Sequence, residues 1–238
     1  MEITPLGDSA VILHVRGAFE DAPDETLDEV LGYSDFLRRA NLTGITEVAP
    51  AYTTVALYYD PNRAVAAGAD SNSVFEWVAA KIQTEIANGN IRLKRSAGSA
   101  IEIPACYDEK FALDLDEVTN HVGLSMEEVI ELHSSATYRV NCLGFTPGFA
   151  YLSGLPSKLA TPRRPVPRKQ VPAGSIGIGG AQTGIYPITS PGGWNIIGRT
   201  ALKLFNPKKN PPAMLCAGDT VRFRPITRSE FEELAGLS

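Results

Sequence analysis

Three arginines lie on a proline-rich segment, residues 162–168, with the sequence PRRPVPR. Proline fixes the backbone φ angle and lacks an N–H donor, so this segment stays extended and cannot fold into a helix. Arg163, Arg164 and Arg168 therefore project from an ordered backbone, and guanidinium groups form paired hydrogen bonds with carboxylate or phosphate oxygens. The spacing predicts an anion-binding segment.

Residues 144–151, GFTPGFAY, form a second candidate element in which aromatic rings alternate with chain breakers. Phe145, Phe149 and Tyr151 surround Gly148, a composition that suits a loop presenting ring faces and backbone N–H groups to a ligand. Two tight-turn segments add amide, hydroxyl, phenol and indole groups, namely Gln182, Thr183, Tyr186 and Trp194. Taken singly, the same rings and glycines also fit a barrel core and its turns, and that alternative stays open.

Several common catalytic and cofactor signatures are absent from the sequence. The glycine-rich run at residues 174–180, GSIGIGG, fits neither a phosphate-binding loop nor a dinucleotide-binding fingerprint, and no GxSxG motif occurs. Cys106, Cys142 and Cys216 include no CxxC pair, which indicates reduced thiols. The three histidines show no ligand spacing, so we predict no metal site in this chain.

Charge is distributed unevenly along the chain. The net charge is −5, but residues 139–228 contain 13 basic residues and one acid, Asp219. This local surplus favours an anionic ligand or an acidic partner surface, with a solvated basic face as the competing interpretation. Nucleic-acid binding is the weakest candidate, because the segment shows no reading helix or stacking ladder. The sequence contains no signal-peptide pattern and no run of 18 apolar residues, so we expect a cytoplasmic protein that does not bind membranes.

The first 93 residues alternate strand and helix signals in the order β-α-β-β-α, which is typical of a ferredoxin-like split βαβ unit. The predicted strands are residues 9–15, 45–49 and 53–59, with 91–93 as a possible last strand, and the helices begin at Asp24 and at a capping box of Ser73 and Glu76. A domain boundary is predicted at residues 94–100, where the sequence is basic and rich in small residues.

The remainder is predicted to be mostly β-structure. A strand at residues 101–106 precedes two capped helices, which begin at Asp114 with Glu117 and at Ser125 with Glu128. Glycine and proline then make up 24 of the 83 residues from 143 to 225, interrupted by short apolar runs. This pattern favours an all-β region with many tight turns, and a helical period returns only in the last ten residues.

Five ordered motifs give the chain a specific resemblance. They are residues 144–156, 162–168, 171–180, 182–187 and 190–200, and residues 7–10, 48–61 and 125–138 extend the match over nearly the whole chain. In this frame the chain resembles the KipI / allophanate hydrolase subunit 1 family, of the carboxyltransferase C/D type, whose current assignment is the B subunit (PxpB) of the bacterial ATP-dependent 5-oxoprolinase. Two departures from the family pattern, at residues 204–206 and 217–219, lie outside the central motifs.

The resemblance implies an α+β fold, with an N-terminal ferredoxin-like α/β domain at residues 1–94 and a C-terminal cyclophilin-like β-barrel at residues 95–238. It implies hydrolysis of 5-oxo-L-proline to L-glutamate by a complex with a KipA-like C subunit and a LamB/YcsF-like A subunit. ATP is the expected co-substrate, bound with these partners, and the chain alone is expected to be inactive.

A lactam amide is a poor electrophile, so coupling to ATP suggests that the amide oxygen is phosphorylated before water attacks. Cations around the phosphate and a donor for the substrate carboxylate would then be needed, and arginines of the barrel could supply them. We predict His133, Arg168 and Arg199 as catalytic residues, with His133 as acid, base or orienting donor. A buried helix histidine bonded to the backbone is the alternative for His133. The predicted substrate- or nucleotide-binding residues are Phe145, Gly148, Phe149, Tyr151, Arg163, Arg164, Gln182, Thr183, Tyr186 and Trp194.

Two other functions stay open for such a sequence. KipI-type members are inhibitors of a sporulation histidine kinase, so the barrel surface could be a docking face without chemistry. A carboxyltransferase component of a urea carboxylase or allophanate hydrolase-like system would instead require a biotin-carrying partner.

Overall fold

A computed structural model of the chain describes residues 2–17, 23–93 and 100–236. The chain divides into two compact units, residues 1–96 and 97–238. The predicted boundary segment, residues 94–100, lies outside the described residues except for Ala100. Each unit buries its own cluster of apolar side chains.

The first unit is a four-stranded antiparallel sheet packed against helices. Its strands are β1 (Glu2–Pro5), β2 (Ala10–His14), β3 (Ile45–Ala51) and β4 (Thr54–Tyr59), and its helices are α1 (Pro23–Ala40), α2 (Pro61–Ala66) and α3 (Val74–Asn88). The strand order is β1-β2-β4-β3. The apolar positions predicted to share one face of α1 are all buried, namely Leu27, Val30, Leu31 and Leu37.

The sheet edge next to β2 is occupied by a strand that the sequence did not predict. Residues 91–93 form no strand, and β1 pairs antiparallel with β2 in that place. The reason is local: a turn at Gly7, with φ +66°, joins two segments that are adjacent in sequence. The chain after α3 instead lies against α1, where the Arg92 carbonyl oxygen is 2.6 Å from the position that a Cβ on Gly32 would take.

Two helix starts in this unit also differ from the prediction. Ser73 precedes α3, but its side chain makes no capping hydrogen bond, so the predicted capping box is wrong. Its φ of −141° and ψ of 38° depart from the extended conformation that is usual at a capping position. Asp60 instead caps the unpredicted helix α2, where its carboxylate accepts bonds from the N–H groups of Asn62 at 2.9 Å and Arg63 at 3.3 Å.

The second unit is a closed seven-stranded β-barrel with helices packed on it. Its strands are β5 (Ile101–Cys106), β6 (Tyr138–Leu143), β7 (Ala150–Ser153), β8 (Arg168–Val171), β9 (Ser175–Gly179), β10 (Gln182–Ile185), β11 (Ser190–Gly192), β12 (Asn195–Arg199) and β13 (Thr220–Ile226); its helices are α4 (Leu115–Val122), α5 (Met126–Ser135) and α6 (Arg228–Gly236). The barrel order is β10-β7-β6-β13-β5-β12-β9, and β8 and β11 form a separate two-stranded ribbon. The predicted α+β fold with a C-terminal barrel is therefore confirmed.

The helices of the barrel unit follow their predicted signals in part. The capping box that opens α5 is formed, because Ser125 Oγ accepts from the Glu128 N–H at 3.2 Å and the Glu128 carboxylate accepts from the Ser125 N–H at 2.8 Å. Helix α4 ends at Val122 and is followed by Gly123, which adopts the left-handed conformation common after a helix. At the start of α4, however, the Asp114 side chain makes no capping bond. No helix among the described residues combines the length and apolarity needed to cross a bilayer.

Candidate functional site

A pocket of about 290 Å³ opens on the barrel unit between the ribbon β8–β11 and the loop that joins β6 to β7. Its walls are mostly aromatic, with Phe145, Phe149, Tyr151, Tyr186 and Trp194 contributing rings. Arg163 and Arg164 supply the charged part of the lining, and Pro167, Pro191, Gly192 and Gly193 complete it. Seven of the residues predicted to bind substrate or nucleotide thus lie in one pocket.

The aromatic rings of the pocket are organised around Phe149. Its ring meets those of Tyr151, Tyr186 and Trp194 edge to face, with centroid separations of 4.8, 5.2 and 5.5 Å. Such edge-to-face pairs add to the stabilisation that burial provides. The rings therefore form fixed walls at steep angles to one another, 79° for Phe149 with Tyr186 and 85° for Phe149 with Trp194.

Phe145 stands at the exposed end of this cluster, in a tight three-residue turn. The Thr146 N–H donates to the Gly144 carbonyl at 2.7 Å, and Phe145 between them has φ +64°. A γ-turn with positive φ is rare and strained, particularly for a residue with a bulky side chain. The Phe145 side chain is 61% exposed, so the turn holds an aromatic ring over the pocket mouth without burying it.

Glycines let the aromatic rings lie directly on the barrel backbone. A Cβ on Gly179 would be 2.6 Å from the indole of Trp194, and one on Gly184 would be 3.0 Å from Trp194 and 3.1 Å from Phe149. Neither position tolerates a side chain without moving a ring. The many glycines of residues 174–193 therefore serve two roles, since they form tight turns and also allow aromatic rings of the pocket to lie against the backbone.

Asp114 fixes the arginine segment against the barrel. Its carboxylate is fully buried and accepts bonds from Arg168 Nη1 at 2.6 Å and Nη2 at 2.7 Å, and it also binds Arg164 Nη1. The backbone N–H of Ile196 donates to the same carboxylate at 2.7 Å, and the Asp114 N–H donates to the Ile196 carbonyl at 2.8 Å. One acid thus joins the start of α4, strand β12 and the segment 162–168. This is why Asp114 is not available to cap its own helix.

Arg163 is placed differently from the other two arginines. Its guanidinium carbon lies 5.8 Å from the centre of the Trp194 ring, and its side chain is exposed at the pocket. Within the described part of the chain it forms no ion pair with a carboxylate. Burial raises the pKa of the Tyr151 and Tyr186 phenols, and the charge of Arg163 acts on both in the opposite direction. Both phenols are therefore protonated at neutral pH, beside a cation that is open to a ligand.

Arg199 lies outside the pocket. Its Nε donates to the Ala173 carbonyl at 2.8 Å, and its guanidinium carbon is 5.9 Å from the ring centres of Phe111 and Phe231. Burial lowers the pKa of this guanidinium. Arg199 therefore packs against the rings of Phe111 and of Phe231 in α6, and the structure does not bring it together with Arg163.

His133 is fully buried in the barrel unit, away from the pocket lining. The Thr183 hydroxyl donates to the Gly177 carbonyl at 3.0 Å, so it accepts from His133 Nε2–H at 3.0 Å. This leaves Nδ1 to accept from the Tyr107 hydroxyl at 2.8 Å. Burial lowers the pKa of His133 to about 3, so the ring is neutral. The geometry favours the alternative of a structural histidine, with side-chain partners in place of the expected backbone bond.

The remaining residues predicted to bind substrate or nucleotide do not line the pocket. Thr183 is buried and bonded to His133, and Gln182 is half-buried at the start of β10. Gly148 has φ +83°, and a Cβ there would be 2.9 Å from the Phe205 side chain, so it sets the course of the aromatic loop. No group of three or more His, Cys, Asp or Glu side chains in residues 2–17, 23–93 and 100–236 is arranged to hold a metal ion.

Asp114 is the residue of the site that sequence reasoning missed. The sequence pattern indicates a helix cap at this position, because Asp114 precedes α4 and is followed by Glu117. The composition does indicate such a pairing. Because residues 139–228 contain a single acid, buried arginines there need a carboxylate from elsewhere in the chain. The distance in sequence, 50 residues to Arg164 and 54 to Arg168, hid the pairing.

The chain matches a known family, and two of its relatives carry the same name. Residues 1–215 match the family described as carboxyltransferase domain, subdomain C and D. A Bacillus subtilis (strain 168) protein, named as the B subunit of 5-oxoprolinase, is 37% identical over 233 residues, 97% of this chain and 95% of that protein. An Escherichia coli O157:H7 protein of the same name is 56% identical over 125 residues, 52% of this chain and 57% of that protein.

Solved structures with the same fold include larger proteins. The crystal structure of TTHA0988 is 34% identical with a TM-score of 0.74; the match covers 91% of this chain and 40% of that chain, so this chain spans less than half of TTHA0988. PH0987 from Pyrococcus horikoshii is 40% identical with a TM-score of 0.55, over 97% of this chain and 100% of that chain. Kluyveromyces lactis urea carboxylase shares the fold. It is 18% identical with a TM-score of 0.72, and the match covers 97% of this chain and 22% of that chain.

Proposed function

The chain belongs to the carboxyltransferase domain, subdomain C and D family, and from this membership we propose that it is the B subunit of an ATP-dependent 5-oxoprolinase. It would act with a KipA-like partner and a LamB/YcsF-like partner to hydrolyse 5-oxo-L-proline to L-glutamate. The observation that carries the proposal is the end-to-end match to a relative named as the B subunit of 5-oxoprolinase, 97% of this chain and 95% of that protein. The pocket supports it, because an aromatic site with an open cation suits a small ring that bears a carboxylate.

In the proposed reaction, ATP transfers its terminal phosphoryl group to the lactam oxygen, which makes the ring carbon electrophilic. Water then adds to that carbon, and the ring C–N bond breaks as the nitrogen takes up a proton, which gives the amine of glutamate and an acyl phosphate of the side-chain carboxyl group. A second water would hydrolyse this acyl phosphate to the carboxylate and inorganic phosphate. ATP would be held with the two partner proteins. The contribution of this chain would be to bind and orient the lactam in the aromatic pocket.

The arginines would divide these tasks between them. Arg163 is available for direct contact with an anion, since its guanidinium is exposed at the pocket. Arg168 donates to Asp114 through both Nη atoms and Arg164 through Nη1, so these two arginines would act by holding the segment that carries Arg163. Arg199 and His133 are bonded elsewhere in the barrel unit and would support the fold of the site rather than contact its ligand.

The test is reconstitution of the complete complex. This chain and the KipA-like and LamB/YcsF-like proteins from the same genome are co-purified and incubated with 5-oxo-L-proline and ATP, and glutamate and ADP are both quantified. We expect equal amounts of glutamate and ADP from the full set and neither product when this chain is omitted. A full set that binds together but releases no glutamate would overturn the proposal.

Matched variants connect the activity to the pocket. Arg163→Gln removes the open cation, whereas Arg222→Gln removes an exposed arginine of β13 that contacts Thr137 and lies outside the pocket lining. We expect a loss of turnover at low substrate for the first and wild-type turnover for the second. The same preparations distinguish the oxoprolinase from the two other functions. Unchanged autophosphorylation of candidate histidine kinases would argue against a kinase inhibitor, and no carboxyl transfer from carboxybiotin would argue against a carboxyltransferase component.

A further inference from the structure

We propose that the aromatic pocket of this chain receives the lactam ring and its carboxylate, and that the phosphate chain of ATP binds elsewhere in the complex. The ligand class is a compact cyclic monocarboxylate, with its carboxylate on Arg163 and its ring in the corner that the exposed Phe145 ring forms with Phe149 and Tyr186. This inference rests on the proposed function and deepens it, because it assigns one of the two substrates to a site in this chain.

The size of the pocket favours the smaller substrate. Its volume of about 290 Å³ is at the lower end of the range for small-molecule sites, which is about 300–1,000 Å³. A five-membered lactam fills a substantial part of such a space, whereas a nucleoside triphosphate would extend well outside it. The exposed Phe145 ring stands at 79° to the Phe149 ring and at 90° to the Tyr186 ring, which gives the pocket a corner that can contact a small ring on two sides.

The charge of the pocket matches a single negative charge. Asp114 pairs with Arg164 and Arg168, and Glu117 lies 3.6 Å from Arg164, so these two cations are already compensated. Of the two arginines that line the pocket, Arg163 is the one without a carboxylate partner among the described residues, and no lysine or carboxylate lines the pocket as those residues form it. A triphosphate with about four negative charges is normally held by several cations, backbone N–H groups and magnesium. One guanidinium suits one carboxylate, which it can bind through two parallel bonds.

The placement of Arg163 fits a ligand with its charge at one end and its apolar ring at the other. The guanidinium carbon lies 5.8 Å from the centre of the Trp194 ring, so the cation stands beside the aromatic walls at the pocket rim. The Tyr151 and Tyr186 phenols, protonated at neutral pH because burial raises their pKa values, add hydroxyl groups close to the same cation. Ring methylenes would contact the aromatic faces, and the carboxylate would face Arg163.

Steady-state kinetics of the reconstituted complex test the assignment. For Arg163→Gln we expect the KM for 5-oxo-L-proline to rise about tenfold or more, because a charge-assisted contact is lost, while the KM for ATP stays within about twofold of wild type. Arg222→Gln should leave both KM values unchanged. A rise in the KM for ATP with an unchanged KM for 5-oxo-L-proline would overturn the assignment and place the nucleotide in the pocket.

Tryptophan fluorescence tests the same site without turnover. The chain has two tryptophans, so in a Trp77→Phe background Trp194 is the remaining reporter, and it lines the pocket. We expect a saturable signal with 5-oxo-L-proline, affinity at least about tenfold lower for the neutral 5-oxo-L-prolinamide, and loss of this preference in Arg163→Gln. Equal affinity for acid and amide, no response to either, or displacement of the acid by ATP would overturn the inference.

The two proposals fail in different ways. Glutamate production with no acid-over-amide preference at Trp194 would refute the pocket assignment and leave the proposed function standing. An acid-over-amide preference that requires Arg163, in a complex that makes no glutamate, would refute the proposed function and leave the carboxylate site standing.

Discussion

Replacing Asp114 with asparagine should destabilise the barrel unit more than any other single change of charge near the pocket. The carboxylate is fully buried and accepts from both Arg168 Nη atoms, from Arg164 and from the backbone N–H of Ile196. Asparagine keeps the shape but has one acceptor oxygen, and it turns an N–H₂ group towards donors. Arg168 would then lose its counter-charge, and Arg164 would keep only Glu117, 3.6 Å away.

The expected cost is about 3 kcal/mol. Removing one partner from a buried ion pair typically costs about 3–5 kcal/mol, because the other charge stays buried and unpaired. The Arg164 and Arg168 side chains are 27% and 24% exposed, so water can compensate part of the loss, and the lower end of that range applies.

Urea unfolding at pH 7 measures this cost, with Trp194 as the reporter in a Trp77→Phe background. Asp116→Asn, an exposed acid two residues further along in α4, is the matched control and should change the free energy of unfolding by less than about 0.5 kcal/mol. A cost below about 1 kcal/mol for Asp114→Asn would refute the reasoning. An equal cost of Asp114→Asn in a variant that also carries Arg164→Met and Arg168→Met would refute it as well, because that variant has no guanidinium group there to be left unpaired.

Three further changes have distinct expected outcomes. Burial lowers the pKa of His133 to about 3 against 6.5 in the unfolded chain, so its neutral form stabilises the fold above pH 6.5, and this contribution is lost as the pH falls towards 3. His133→Gln should therefore flatten the pH dependence of the free energy of unfolding by up to about 1.4 kcal/mol per pH unit, and an unchanged pH dependence would contradict this. Ser125→Ala should cost about 1 kcal/mol in thermal or urea unfolding because it removes a formed cap, whereas Ser73→Ala should cost less than about 0.5 kcal/mol. Gly179→Ala, which puts a methyl group 2.6 Å from the pocket indole, should cost about 1–3 kcal/mol and shift the fluorescence of that tryptophan; an unchanged spectrum would contradict the close approach.

The sequence was most informative where neighbouring residues determine the structure. The order β2-α1-β3-β4-α3 within the first unit, the face of α1, the Ser125 capping box and the turn-rich barrel follow from periodicity and turn chemistry over a few residues. The family predicted from the ordered motifs is confirmed by the match over residues 1–215. The aromatic residues of three separate motifs could be nominated together because they share a chemistry, and the structure places them in one pocket.

Long-range pairing is what the sequence could not specify. Whether Arg164 and Arg168 face a ligand or a buried acid depends on Asp114. This residue precedes them in the sequence by 50 and 54 positions. The position of Arg199 on Phe111 and Phe231 likewise depends on the packing of α6 against the barrel. The strand that completes the first sheet was misplaced for a related reason, since a short hairpin at Gly7 competes with any strand from the far end of the unit.

Release of glutamate by the complete complex is the measurement that tests the central claim most directly. We predict that glutamate and ADP appear in equal amounts only when this chain is present with both partner proteins, 5-oxo-L-proline and ATP. We also predict that Arg163→Gln weakens the reaction through the KM for 5-oxo-L-proline while Arg222→Gln does not. A correctly assembled complex that consumes no 5-oxo-L-proline would contradict the account.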